Sequence, residues 1–143
     1  MRVLVVDAIA PEGLAYLREH GFTVDELSKA SPEVLFGRLP DYDALITRSG
    51  TAVTPELLTH APRLRIVGRA GVGVDNIDVE ACSRRGIVVV NAPYGNVVSA
   101  AEHTIGMLLA LVRRIPDAHA GLKTLKWDRS IYGSELHRKT AGV

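Results

Sequence analysis

With 143 residues the chain fits one domain, and such a chain can bury about 68–70% of its unfolded surface in a core. Lys and Arg number 17 against 16 Asp and Glu, so the formal charge of +1 supplies no general basic surface for nucleic acid. A single cysteine, Cys82, excludes an intrachain disulfide and fits a reducing compartment; the N-terminal apolar stretch ends at Asp7, short of the apolar region of a secretory signal, and no stretch approaches the ~18 apolar residues of a membrane span, so the expectation is a soluble cytoplasmic protein.

Strand and helix patterns alternate along the chain, which argues for parallel βα units. Val3 to Val6 reads as a first strand. Pro11 to His20, with Leu14 and Leu17 on one side and Gly21 after it, reads as a helix with a C-terminal stop. Phe22 to Val24 is a second strand, and Ser31-Pro32-Glu33 opens a helix that Pro40-Asp41 closes. Ala44 to Thr47 is a third strand, followed by the start signal Thr54-Pro55-Glu56. Leu64 to Gly68 is a fourth, Asp78 to Arg85 a helix ended by Gly86, and Ile87 to Val90 a fifth strand. Five such strands with helices between them describe an α/β, flavodoxin-like parallel sheet with helices on both faces.

The fifth helix is longer and more apolar, from about Val98 to Arg114, with Ala101, Ile105, Leu108, Leu109 and Val112 as its apolar positions. Ser99-Ala100-Ala101-Glu102 matches a capping box, which places the helix start near Ser99. A further helix is expected after Pro116 through Lys126, then a polar stretch from Trp127 to Lys139.

Asp7, Arg48-Ser49-Gly50-Thr51, Arg69-Ala70-Gly71-Val72-Gly73 and Asn91-Ala92-Pro93-Tyr94-Gly95-Asn96 each come directly after an aliphatic run. In an open parallel sheet these clusters form one rim at the carboxyl ends of the strands, where such sheets bind ligands. Arg48 and Arg69 can each hold a carboxylate or phosphate through two parallel hydrogen bonds. One arginine alone is more simply a surface ion pair, but two on one rim point to an anionic ligand.

Gly68-Arg69-Ala70-Gly71-Val72-Gly73 reads G-x-x-G-x-G, not the G-x-G-x-x-G of a dinucleotide fingerprint. Gly71 and Gly73 either offer amides to an oxyanion or form an ordinary strand-to-helix turn. Ser49 and the Gly50 and Gly71 amides would complete an anion cradle. Asn96 either orients a carbonyl or hydroxyl or serves a turn or helix cap.

Groups for proton transfer are poor. His103 on the long helix reads as a packing or surface residue, His20 and His60 adjoin helix ends, and Cys82 reads as a small core residue. There is no metal-ligand spacing, no G-x-S-x-G elbow and no P-loop. No catalytic and no metal-binding residue is expected.

Arg48-Ser49-Gly50-Thr51, then Val67-Gly68-Arg69-Ala70-Gly71-Val72-Gly73-Val74-Asp75-Asn76-Ile77-Asp78, then Asn91 to Asn96 running into Ser99-Ala100-Ala101-Glu102-His103-Thr104, together resemble the NAD-dependent D-2-hydroxyacid dehydrogenases, and within them the members that oxidise 3-phosphoglycerate in serine biosynthesis. The resemblance covers essentially the whole chain. It implies that Arg48, Ser49, Arg69, Gly71, Val72 and Asn96 line the substrate side of the cleft, with Val72 also beside the nicotinamide. It implies too that the nucleotide fingerprint, its ribose-binding acid and a catalytic Arg, Glu and His lie beyond this region, and that Lys139 to Val143 leads toward the cofactor domain.

The resulting expectation is an N-terminal fragment: a substrate-binding core over residues 1–97, and connecting helices over 98–143. Such a chain is expected to be inactive alone, to bind no NAD tightly, and to hold a 3-phosphoglycerate-like anion weakly. The long helix, an interdomain connector in the family, would either fold back on the sheet or pair with a second chain through Ser99 to Val112. Fold-back is preferred because it buries the helix at any concentration. The rival reading is a stand-alone flavodoxin-like module for anion binding or dimerisation.

Overall fold

The computed structural model describes residues Met1 to Gly142; Val143, the last residue of the stretch expected to lead toward a cofactor domain, lies outside the described residues. The chain divides into two compact units, Met1–Asn96 and Val97–Val143.

Short runs of β-branched and aliphatic residues form the five strands of the first unit: β1 (Arg2–Val5), β2 (Thr23–Glu26), β3 (Ala44–Thr47), β4 (Ile66–Arg69) and β5 (Val88–Asn91). All pairs are parallel and the order is β2-β1-β3-β4-β5, the flavodoxin-like order. Parallel pairing demands a crossover after each strand, and helices α1 (Pro11–Glu19), α2 (Pro32–Arg38), α3 (Pro55–Thr59) and α4 (Val79–Arg84) supply them, with a 3-10 turn over Leu39–Asp41.

Local chemistry fixes where these helices start and stop. Thr54 accepts the Leu57 amide at 3.2 Å and Asp78 accepts the Ala81 amide at 2.7 Å, each satisfying a donor the helix leaves unpaired. Gly21 (φ 80°) and Gly86 (φ 69°) follow α1 and α4 in the left-handed region, where a side chain would be strained.

Side chains alternate across the sheet. Leu4, Val6, Leu45 and Val67 join the larger core with Leu35, Leu39, Leu57, Leu58, Ala81, Cys82 and Ile87, contributed by α2, α3, α4 and their connections. Val3, Val5 and Ala44 face the other way and pack with Leu14 of α1. Helices thus lie on both faces. The α1 face is less completely covered toward β5, where Val88 and Val90 remain 57% and 45% exposed.

Two readings of the sequence are corrected. β4 and β5 end one residue later than the aliphatic runs suggest, because ladder pairing continues through Arg69 opposite Thr47 and Asn91 opposite Arg69. Arg69 therefore leaves the sheet from its last rung. The long helix α5 spans Val97–Val112, so Ser99 lies inside the first turn and no capping box forms. Val98, Ala101 and Ile105 continue one helical stripe, and that periodicity carries the helix past Ser99 toward its N-terminus.

In the second unit α5 is followed by α6 (Ile115–Lys123), with Arg114 in the left-handed region between them. Neither helix has a buried residue. Among the described residues no helix is long and apolar enough to cross a membrane.

Candidate functional site

The strand order reverses between β1 and β3, and the loops that leave these strands at their carboxyl ends diverge there. At this edge the polar clusters of the rim converge. Arg48, Ser49, Arg69, Gly71, Val72 and Asn96, from the segments that follow β3, end or follow β4, and follow β5, line one open cleft of about 290 Å³ together with Ala70 and Gly73. A second hollow of about 410 Å³ adjoins it, sharing Arg48, Ala70, Gly71 and Asn96 and adding Ile9, Ala10, Ala92 and Gly95 as an apolar wall. All six sequence candidates are brought together.

The two arginines are held differently. Arg48 is exposed, and its Nη1 reaches the Ala8 carbonyl at 3.3 Å. The Arg69 side chain is only 12% exposed and donates from Nε to Asn76 Oδ1 at 2.8 Å, while Asp75 lies 3.9 Å from its Nη2. Asp75 is 86% exposed, so that ion pair is well screened and leaves the guanidinium end available.

Of the two readings the sequence leaves open for Gly71, the turn is the one the structure forms. The amide of Gly71 donates to the Arg69 carbonyl at 2.9 Å, closing a three-residue turn, so it is not free for an oxyanion. Its lack of a side chain matters instead, because a Cβ there would collide with Arg69 Nη1. Gly71 admits the guanidinium. The Gly71 carbonyl accepts from the Ala92 amide at 3.0 Å, and the Val72 carbonyl from Asn91 Nδ2 at 2.6 Å. The Ser49, Val72 and Gly73 amides donate to no protein acceptor among the described residues, and they supply the backbone donors that an anion in this cleft can use.

Sequence placed Asp7 on the rim and Asn76 in the glycine-rich motif, but assigned neither its organising role. The Asp7 carboxylate accepts from Thr47 Oγ1 (2.9 Å), the Arg48 amide (2.7 Å), the Thr51 amide (3.0 Å) and Thr51 Oγ1 (3.1 Å). Burial pushes its pKa up, but the hydrogen bonds from Arg48, Thr47 and Thr51 outweigh this and hold it below the ordinary carboxyl value. Asp7 is thus a tether for the loop after β3. Asn76 Nδ2 donates to the Arg48 carbonyl (2.6 Å) and the Thr51 carbonyl (2.7 Å) while its Oδ1 receives Arg69. Its signal in sequence was only membership of the glycine-rich motif.

His20 and His60 do not line the cleft. His20 and His60 cap the C-termini of α1 and α3, and His60 stacks on Phe36 with ring centroids 4.4 Å apart. His103 lies on α5. Cys82 is fully buried, and burial pushes its thiol pKa up, which makes it unreactive. Among the described residues no group of histidine, cysteine and carboxylate side chains could hold a metal ion.

Residues 3–141 match the family model of the D-isomer specific 2-hydroxyacid dehydrogenase, catalytic domain. The chain belongs to this family. It is 49% identical over 144 residues to a D-3-phosphoglycerate dehydrogenase of Archaeoglobus fulgidus, a match that covers 100% of this chain and 27% of that relative. The chain therefore spans about a quarter of that protein's length. Among solved structures it resembles the NAD+-bound 3-phosphoglycerate dehydrogenase of Entamoeba histolytica (TM-score 0.73, 31% identity, 95% of this chain and 43% of that one). It also resembles the D-lactate dehydrogenase of Aquifex aeolicus, solved with NAD and lactic acid (TM-score 0.81, 26% identity, 96% and 42%). Family membership and the parallel flavodoxin-like sheet thus agree with the motif reading.

Proposed function

We propose that this chain supplies the substrate-binding part of an NAD-dependent oxidoreductase that converts 3-phosphoglycerate to 3-phosphohydroxypyruvate, passing the C2 hydride to NAD. The observation that carries this reading is the convergence of Arg48 and Arg69 with Ser49, Gly71, Val72 and Asn96 in one cleft at the carboxyl edge of the sheet. Two guanidiniums, a hydroxyl, a carboxamide and unpaired amides suit a small ligand with more than one anionic group. The D-3-phosphoglycerate dehydrogenase relatives support the choice of 2-hydroxy acid.

The same cleft supports binding without turnover. No imidazole and no carboxylate line it; of the two carboxylates beside it, Asp7 is already occupied by four donors and Asp75 lies against the Arg69 guanidinium. A group able to take the hydroxyl proton would have to come from outside this cleft.

NAD supplies a hydride acceptor in the family reaction, but the residues here do not fit its pyrophosphate. The glycine-rich turn after β4 does not open a helix: it leads through Ile77, which bridges to Val53, before α4 begins at Val79. The chain's own contribution to the cofactor is confined to a contact at Val72. Isothermal titration with 3-phosphoglycerate tests the reading: weak binding that Arg48→Ala or Arg69→Ala abolishes is expected, and no heat with the intact chain would overturn it. An assay with NAD and 3-phosphoglycerate is expected to give no NADH above the protein-free control.

The exposed apolar residues of α5 extend the proposal to self-association. Ile105, Leu108 and Leu109 are 58%, 37% and 43% exposed, and a second copy of the chain would remove them from water.

A further inference from the structure

The structure assigns Asn76 the role of a positioning residue that makes Arg69 meet its ligand end-on, through Nη1 and Nη2, and ties this arginine to the loop that carries Arg48; this rests on the anion-binding reading of the cleft.

An arginine can present two faces to an oxyanion: the side formed by Nε and one Nη, or the end formed by both Nη groups. In Arg69 the first choice is removed. Its Nε–H is donated to Asn76 Oδ1 at 2.8 Å, and Gly71 leaves room for Nη1 on the cleft side. The carboxamide orientation is unambiguous, since a flipped Asn76 would set its oxygen against the Arg48 and Thr51 carbonyls and its NH2 against a guanidinium.

Both donor hydrogens of Asn76 and one acceptor position of its oxygen are committed, to three different partners. Its backbone is fixed as well. The Asn76 carbonyl accepts from the Val53 amide at 2.8 Å, within the bridge between Val53 and Ile77. One side chain anchored at both ends therefore links the loop after β3 to the arginine that ends β4. Any movement of Arg69 is transmitted to the Arg48 carbonyl, and the reverse.

The free chain tests the link before any ligand is added. In wild type, nuclear magnetic resonance of arginine Nε–H groups should show a slowly exchanging signal that disappears in Arg69→Lys. Asn76→Ala should speed its exchange about tenfold or more, whereas Asn76→Asp, which keeps the acceptor for Nε but loses both donors to the Arg48 and Thr51 carbonyls, should keep the protection while releasing the loop after β3. Rapid exchange in wild type, or protection unchanged in Asn76→Ala, overturns the proposal. If Asn76→Ala does not fold, Asn76→Ser, whose shorter side chain withdraws the acceptor from Arg69 Nε, takes its place, with the same tenfold faster exchange expected and unchanged protection overturning the proposal.

Titration with 3-phosphoglycerate supplies the second readout. Asn76→Ala should weaken binding about tenfold in the Arg69 protein and less than about twofold once Arg69→Lys is present. Equal losses in both backgrounds overturn the link, because a merely structural role for Asn76 would weaken both alike. Absence of binding by wild type overturns the functional reading instead, and leaves the ligand-free exchange result to judge Asn76.

Discussion

The Asp7 carboxylate lies 2.6 Å from the place a Cβ on Gly50 would occupy. Four hydrogen bonds hold that carboxylate, from Thr47, Arg48 and Thr51, so it is not a flexible side-chain end that can swing aside. Close approach of Asp7 to the loop after β3 requires a glycine at this point, and the loop's shape in turn sets where Arg48 and Ser49 emerge.

Gly50→Ala is therefore expected to destabilise the protein by about 1–3 kcal/mol, the range for forcing a methyl group into an occupied site. Urea unfolding measures it. An unchanged midpoint would mean that the Asp7 tether yields easily.

Gly71→Ala has the opposite balance. The atom its Cβ would strike is Arg69 Nη1, the end of a long side chain, and the Gly71 backbone has no positive φ. Folding should survive with a change within about 0.5 kcal/mol, since alanine also restricts the unfolded chain. Binding of 3-phosphoglycerate should fall several-fold, because the guanidinium must leave its place. Calorimetric titration beside a melting curve separates the two effects, and retained affinity would remove Gly71 from the site.

Asp7 also sets a pH dependence. Its folded pKa lies below the ordinary 3.8, so the folded protein binds this proton less readily than the unfolded chain does. The stabilisation is complete above the unfolded value and is lost as pH falls through the folded one. Asp25, hydrogen-bonded by Tyr42, and Asp43, hydrogen-bonded by the Arg2 amide and by Arg63, shift in the same direction. Stability should decline as pH is lowered from about 5 to below 3. Asp7→Asn should be less stable at neutral pH and show a shallower decline, measured by denaturant melts across that range. A slope equal to wild type would show that Asp7 is not a source of acid sensitivity.

How much of this was legible in sequence depended on how local the signal was. The strands followed from β-branched runs, and α3 and α4 from the cap residues Thr54 and Asp78, because each signal lies within one turn of the structure it specifies. Arg48 and Arg69 were found for a similar reason: position at a strand end places a residue on the rim. The Asp7 and Asn76 networks were not legible, because they join segments that meet only through the order β1-β3-β4 and the bridge from Val53 to Ile77. Gly71 shows the limit most clearly. Sequence marked it as a special backbone position, but whether its amide or its missing Cβ mattered depended on where the Arg69 side chain lies.

Helix α5 carries the last prediction. Val98, Ala101, Ile105, Leu108, Leu109 and Val112 recur at helical spacing, and none of them is buried. At about 25 cal/mol per Å² of apolar surface removed from water, a stripe of this kind favours association once two copies can meet. Light scattering over a concentration series should show mass rising toward a dimer. Ile105→Glu with Leu109→Glu should hold the chain monomeric, since a second copy would bury those charges without partners. A mass that stays monomeric at every concentration would sink the prediction. A dimer that persists in the doubly substituted protein would place the contact on another surface.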